Sequence, residues 1–300
     1  MEPAIFHGLG TAIVTPFHTD ESVDHASLRK LVEAQIAGGV DFLVACGSTG
    51  EASTLSEDET IAVITTVLEA AQGRIPVMAG CTHNSTREAV RRSIAIAKIP
   101  GLSGILTANP YYNKPSQQGQ YLHFKAIADA IAPLPLLLYN IPGRTAANLE
   151  PATLMRLAQL PNVVGIKESS GNLAQIGEIL ALKPADFSVF AGDDYLALPI
   201  IAGGGAGLIS VASNVAPKLV SDLIKAALVH DLGAAREFAK ELHAVNNALF
   251  SEPNPAPAKA VLAMMDLIEG DTLRLPMLPV SDATREKLRA VATDLGLMPQ

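Results

Sequence analysis

Eight short apolar runs recur through the first 211 residues: TAIV (11–14), DFLVAC (41–46), PVMAG (76–80), GILTA (104–108), PLLLY (135–139), VVGIK (163–167), FSVFAG (187–192) and GLISV (207–211). Successive runs begin about 20 to 35 residues apart. The intervals carry amphipathic stretches such as 27–37, 57–72, 85–98 and 117–131, so each has room for one helix. Ser56-Glu57-Asp58-Glu59 reads as a capping box that starts the second of these helices. The runs are continuously apolar rather than alternating, as parallel strands covered by helices require. Eight such units in about 215 residues predict a (β/α)₈ (TIM) barrel, with an open doubly wound sheet as the competing α/β arrangement.

After the eighth run the pattern turns helical, with stretches at 217–230, 234–249, 257–267 and 282–295. A barrel needs one closing helix, so the division predicted is a catalytic barrel over 1–228 and a small C-terminal helical domain over 229–300. The proline-rich piece 251–259 reads as a link between two helices.

Composition narrows the functional classes. Nearly half the residues are apolar (49%) but only 4% are aromatic, so the core is built of Ala, Leu, Ile and Val. Lys and Arg number 22 against 30 Asp and Glu, a net charge of −8, which argues against nucleic acid or an anionic membrane as partner. Residues 1–10 carry no basic stretch followed by an apolar run, so no export signal is expected. The longest apolar stretch, 198–212, is broken by glycines. Cys46 and Cys81 sit in or beside apolar runs and are expected to be reduced and buried, which fits a cytoplasmic enzyme. The seven histidines show no metal-ligand spacing, and no Gly-x-Gly-x-x-Gly follows the first strand, so neither a metal nor a dinucleotide cofactor is expected.

Barrel enzymes carry their chemistry on the loops after the strands. The polar residues there are Gly47-Ser48-Thr49-Gly50-Glu51, Tyr111-Tyr112, Tyr139, Arg144, Lys167 and Asp193-Asp194. Lys167 closes the run NVVGIK, so its amine is expected at the barrel mouth over apolar walls. A lysine there is often an ordinary one with its head in water. It becomes a Schiff-base nucleophile when desolvation keeps the amine neutral; lowering a lysine from about 10.4 to about 7.5 takes roughly 4 kcal/mol. Glu168 follows directly, but strand alternation points it to the opposite face. Tyr139 ends the preceding strand, where its phenol can shuttle protons to a carbinolamine, or simply cap the core. The turn Gly47–Glu51 offers backbone N–H groups and two hydroxyls to a small carboxylate, or merely ends a strand. Arg144 can grip a second carboxylate bidentately, or be a solvated loop residue.

Taken together, Gly47-Ser-Thr-Gly-Glu51, Pro110-Tyr-Tyr-Asn113, Tyr139-Asn-Ile-Pro-Gly-Arg144 and Gly165-Ile-Lys-Glu168 resemble, in order and spacing, the dihydrodipicolinate synthase/N-acetylneuraminate lyase superfamily. The likeness extends to Glu252–Lys259 and Leu273–Pro276. The resemblance implies a barrel with a C-terminal helical domain, assembled as a homotetramer of two tight dimers. It implies that Lys167 forms an imine with pyruvate and Tyr139 shuttles protons. Ser48 and Tyr112 complete the relay, with Tyr112 entering the neighbouring subunit's site. Thr49 holds the pyruvate carboxylate, Gly192 and the carbonyl of Ile209 line the pocket, and Arg144 binds the carboxylate of the incoming aldehyde.

Arg144 and the 252–259 segment favour the synthase branch, hence condensation of pyruvate with L-aspartate-4-semialdehyde to 4-hydroxy-tetrahydrodipicolinate in lysine and diaminopimelate biosynthesis, without metal or organic cofactor. Ser48 stands where many synthases carry Thr, which keeps open a pyruvate aldolase acting on a sugar acid. A keto-acid-binding paralogue without turnover is the third reading. Asn84, Glu88 and Tyr111 match the family's allosteric pocket, but Glu57 and Thr60 replace two histidines of its lysine-sensitive type. Weak or absent inhibition by lysine is therefore expected.

Overall fold

The computed structural model describes residues 5–298; residues 1–4 and 299–300, the outer ends of the two expected domain spans, lie outside the described residues, as does the start of the segment read for an export signal. Eight strands form one closed parallel barrel in chain order: β1 Gly8–Ala12, β2 Phe42–Ala45, β3 Val77–Gly80, β4 Gly104–Ala108, β5 Leu136–Asn140, β6 Val163–Glu168, β7 Ser188–Ala191 and β8 Gly207–Ser210. Closure through β1 and β8 excludes the open sheet. Gly8 pairs with Gly207 there, and a β-carbon on Gly207 would overlap the Gly8 carbonyl. Only glycine permits that approach.

The first strand begins earlier than the run TAIV suggested. Gly8, Leu9 and Gly10 pair with Gly207, Leu208 and Ile209, and glycines leave no apolar signal in a sequence. The other seven strands fall within a residue or two of the predicted runs. The interior is filled by Phe6, Phe42, Met78, Leu106, Leu137, Phe190 and Ile209, with Phe42 edge-on to both Phe6 (5.4 Å) and Phe190 (5.5 Å). Burying side chains of this size contributes about 1.5–3 kcal/mol each, so the barrel is a packed core below its mouth.

Helices cover the strands where the amphipathic stretches predicted. Glu57–Ala71 starts at the expected capping box, in which the Glu59 N–H donates to Ser56 Oγ (3.2 Å) and the Ser56 N–H donates to Glu59 Oε2 (2.8 Å). The shorter helices Pro142–Thr145, Pro151–Leu157, Leu173–Leu182 and Ala197–Ala202 offer too few turns to stand out as periodic patterns. The C-terminal helices Pro217–Leu228, Leu232–Leu249, Ala256–Met264 and Asp282–Asp294 match the four predicted stretches, with ends shifted by up to three residues. No described helix is long and apolar enough to cross a membrane.

One irregularity matters for the site. Leu136 pairs with Val163, but Leu137 pairs with Gly165, so β6 carries one extra residue there. Val163 and Ile166 pack into the outer core, whereas Val164 packs against the interior cluster. Unbroken alternation from Val163 would turn Lys167 outward with it. The bulge reverses the phase, turning Lys167 inward and setting it level with Tyr139. A β-carbon on Gly165 would press on the Ser188 carbonyl and lie 2.9 Å from Leu137 Cδ1, so the bulge needs glycine at this point.

Candidate active site

At the carboxyl ends of the strands a cleft of about 680 Å³ opens, a size typical of small-molecule sites. It is lined by Ser48, Thr49, Tyr111, Tyr139, Arg144, Lys167 and Gly192, seven of the residues singled out in the sequence.

Lys167 lies at its floor with 5% of its surface exposed. Its Nζ stands 4.5 Å from the ring centroid of Tyr139, itself 7% exposed. Among the described residues the lysines in ion pairs are Lys125, Lys218, Lys240 and Lys259; Lys167 is not one of them. Glu168 faces the other way, as alternation required. It accepts hydrogen bonds from the Ser170 N–H (2.6 Å) and Asn140 Nδ2 (3.0 Å), and burial raises its carboxyl above the usual range. Phe190 lies level with Lys167 on the far side, and Gly192 makes room for the amine's stem, since a β-carbon there would come within 2.8 Å of Lys167 Cε. The floor of the cleft thus presents a shielded amine with an aromatic hydroxyl-bearing neighbour and no competing carboxylate partner.

The wall above β2 is the turn Gly47–Glu51. Ser48 is exposed to the cleft, and the buried Thr49 hydroxyl accepts from Asn254 Nδ2 (2.9 Å). Burial lifts the Cys46 thiol to about 12, so it stays protonated and is no rival nucleophile. Across the mouth, Arg144 sits on Pro142–Thr145 and donates to the Asn254 carbonyl (3.4 Å). Below the β7 loop, buried Asp194 accepts from Ser210 Oγ (2.5 Å) and the Val211 N–H (3.1 Å), tying that loop to the end of β8; burial pushes its carboxyl upward.

Tyr112, Ile209, Asn84 and Glu88 are not among the side chains that line this cleft. Tyr112 is 85% exposed and does not line its own chain's cleft. The Ile209 side chain is fully buried in the barrel interior, and Val211, two residues on, lines the cleft. Asn84 and Glu88 stand outside the cleft. The Asn84 carbonyl accepts from Asn113 Nδ2 (3.0 Å), Glu88 pairs with Arg91 (2.9 Å), and Tyr111 alone of that trio reaches the cleft rim. Three donors without sequence spacing do gather away from the cleft: His18, Asp24 and Glu269.

Asn254 has no individual role in the sequence, where 251–259 reads as a link between helices and 252–259 as part of the family likeness. Within that link Asn254 lines the cleft and touches both Thr49 and Arg144, and the helix Ala256–Met264 begins two residues on. A polar residue amid prolines, each fixing the backbone, was the available signal.

Fold and cleft define the class: a (β/α)₈ barrel with a shielded lysine at the mouth. The chain belongs to the dihydrodipicolinate synthetase family, whose model matches residues 5–295. A 4-hydroxy-tetrahydrodipicolinate synthase of Koribacter versatilis is 55% identical over 291 residues, covering 97% of this chain and 96% of the relative. A solved dihydrodipicolinate synthase of Acinetobacter baumannii, chloride inhibited and complexed with pyruvate, is 42% identical with a TM-score of 0.94, covering 97% of this chain and 99% of the other. A solved structure described as the first monomeric dihydrodipicolinate synthase variant is 41% identical with a TM-score of 0.95, covering 98% of each chain.

Proposed function

We infer that this chain condenses pyruvate with L-aspartate-4-semialdehyde to 4-hydroxy-tetrahydrodipicolinate. The observation that carries the reading is the placement of Lys167: inside the barrel mouth, level with Tyr139, and in no ion pair among the described residues. In this reading the amine attacks the pyruvate carbonyl carbon, and Tyr139 passes the protons that let the carbinolamine lose water. The imine withdraws electrons from the methyl carbon, which loses a proton and forms a bond to the aldehyde carbon. The amino group of the aldehyde partner then attacks the imine carbon, closes the ring and releases Lys167, so the electron sink is the protein's own amine. Ser48 and Thr49 face the pyruvate carboxylate, Gly192 leaves space beside the imine, and Arg144 meets the carboxylate of the aldehyde. The carbonyl of Ile209 completes the pocket floor. The barrel over 1–228 does the chemistry, and the helical part over 229–300 buttresses its mouth.

The functional assembly in this reading is a homotetramer built as a dimer of dimers. Tyr112 supports it: an 85% exposed tyrosine held at φ +75°, outside its own cleft, suits a residue that completes a neighbour's relay. The buried, unpaired Cys46 and Cys81 suit the reducing cytoplasm.

The test pairs two measurements. Pyruvate with borohydride should label the peptide containing Lys167, and condensation with the semialdehyde should outrun release of pyruvate from sugar acids. Faster cleavage of a sugar acid would move the chain to the aldolase branch; labelling without turnover of either would make it a keto-acid-binding protein.

Arg144→Ala should raise the aldehyde KM while leaving imine formation intact, since losing a charged contact costs about 2–5 kcal/mol. Unchanged aldehyde kinetics would remove Arg144 from the site. Lysine should inhibit weakly or not at all. Asn84, Glu88 and Tyr111 are present, but Glu57 is already engaged by Arg91 and Arg92, and Glu88 by Arg91, so these carboxylates are not free to receive an amine. Strong inhibition at sub-millimolar lysine in the condensation assay would contradict this.

A further inference from the structure

Lys259 and Glu51 form an ion pair at 2.5 Å with side chains 0% and 3% exposed. Glu51 ends the Gly47–Glu51 turn of the cleft, and Lys259 comes from the C-terminal helix Ala256–Met264. The reaction sequence above uses neither. Burying an ion pair is seldom the cheapest route to stability, because apolar residues of equal volume do as well. The pair therefore calls for a reason in the turn it holds.

That turn is bounded by two non-glycine residues in the left-handed region, Cys46 at φ +54° and Glu51 at φ +51°. Side chains rarely adopt this conformation without being held there. The holding groups come largely from outside the turn. Thr15 Oγ1 donates to the Gly50 carbonyl (2.7 Å), and the Arg274 N–H donates to Glu51 Oε2 (3.3 Å). Lys259 takes Glu51 Oε1 and also donates to the Thr272 carbonyl (2.8 Å), while its ammonium lies 4.1 Å from the Phe17 ring centroid. The Arg274 guanidinium lies over the same ring (4.5 Å) and donates to the Thr54 carbonyl (2.8 Å) and to the Glu59 carboxylate. Burial pulls the Lys259 ammonium down to about 8, and Glu51 beside it opposes that pull.

We propose that Lys259 is a positioning residue for the carboxylate grip: through Glu51 it fixes the turn so that Ser48 and Thr49 face the pyruvate carboxylate. It touches no reacting atom. The proposal rests on the reading of Lys167 as the pyruvate-binding amine. It gives the C-terminal helical part a role in substrate affinity through Lys259 and Arg274.

The test replaces the pair by neutral groups of similar shape, Glu51→Gln with Lys259→Met, and measures the pyruvate concentration giving half-maximal borohydride labelling at Lys167, together with the aldehyde KM and the unfolding transition. Expected is a cooperatively folded variant whose half-saturating pyruvate rises about tenfold, a change worth 1.4 kcal/mol. Its aldehyde KM should stay within a few-fold of the parent. If the double variant does not fold, Glu51→Gln alone is read in the same way. A folded variant with the parent's half-saturation overturns the proposal. So does a loss spread evenly over pyruvate and aldehyde, or failure of Glu51→Gln to fold, since each assigns the pair to stability alone. Absence of labelling in the parent protein would instead sink the reading of Lys167, so the two failures are told apart.

Discussion

Lys167→Ala should abolish borohydride-trapped labelling by pyruvate and lower condensation kcat/KM by about 10⁴-fold or more, at least 5 kcal/mol of transition-state stabilisation. Among the described residues that line the cleft, Lys167 is the lysine, and it is buried at the cleft floor. The truncation removes the covalent route rather than weakening a contact, which is why the loss should exceed that of any binding residue. The structure should tolerate it: the side chain makes no ion pair among the described residues, and its removal opens space toward an existing cleft. Mass mapping after borohydride treatment, with the unfolding transition as control, reads the outcome. Labelling that persists at another lysine would show that the wrong amine had been chosen.

Tyr139→Phe should lower kcat by about 10²–10⁴-fold, the range of a positioned acid–base group. The variant is informative because it keeps the ring on which Lys167 Nζ rests at 4.5 Å and deletes only the hydroxyl. Packing of this 7% exposed side chain and the amine's surroundings are conserved, so the loss reports proton transfer. Stopped-flow trapping should show imine forming slowly but to completion. A kcat within a few-fold of the parent would mean that another group carries the protons, and would reduce Tyr139 to a wall of the cleft.

Much of this is legible in the sequence. The eight apolar runs and their spacing encode a parallel barrel because a strand covered on both faces must be apolar throughout, and the structure places seven strands on the runs. The capping box at Ser56 was readable because both its hydrogen bonds are local. The first strand was misplaced because Gly8 and Gly10 serve by lacking side chains. The cleft residues were legible where they sit at strand ends. Asn254 was not, because its contacts with Thr49 and Arg144 span 205 and 110 residues. The Ile209 side chain points into the barrel interior, and Val211, two residues on, meets the cleft, a placement set by the end of β8.

By itself the sequence determined the barrel and the helical tail and pointed to the proposed amine and phenol, since these depend on local periodicity and on residue chemistry. Tertiary structure alone decided which way the amine points. The extra residue in β6 inverts the alternation and brings Lys167 level with Tyr139, and a bulge is a property of two paired strands, absent from either read alone. It alone also joined Lys259 and Arg274 to the turn at Glu51. Contacts that close only when distant segments meet leave no periodicity along the chain.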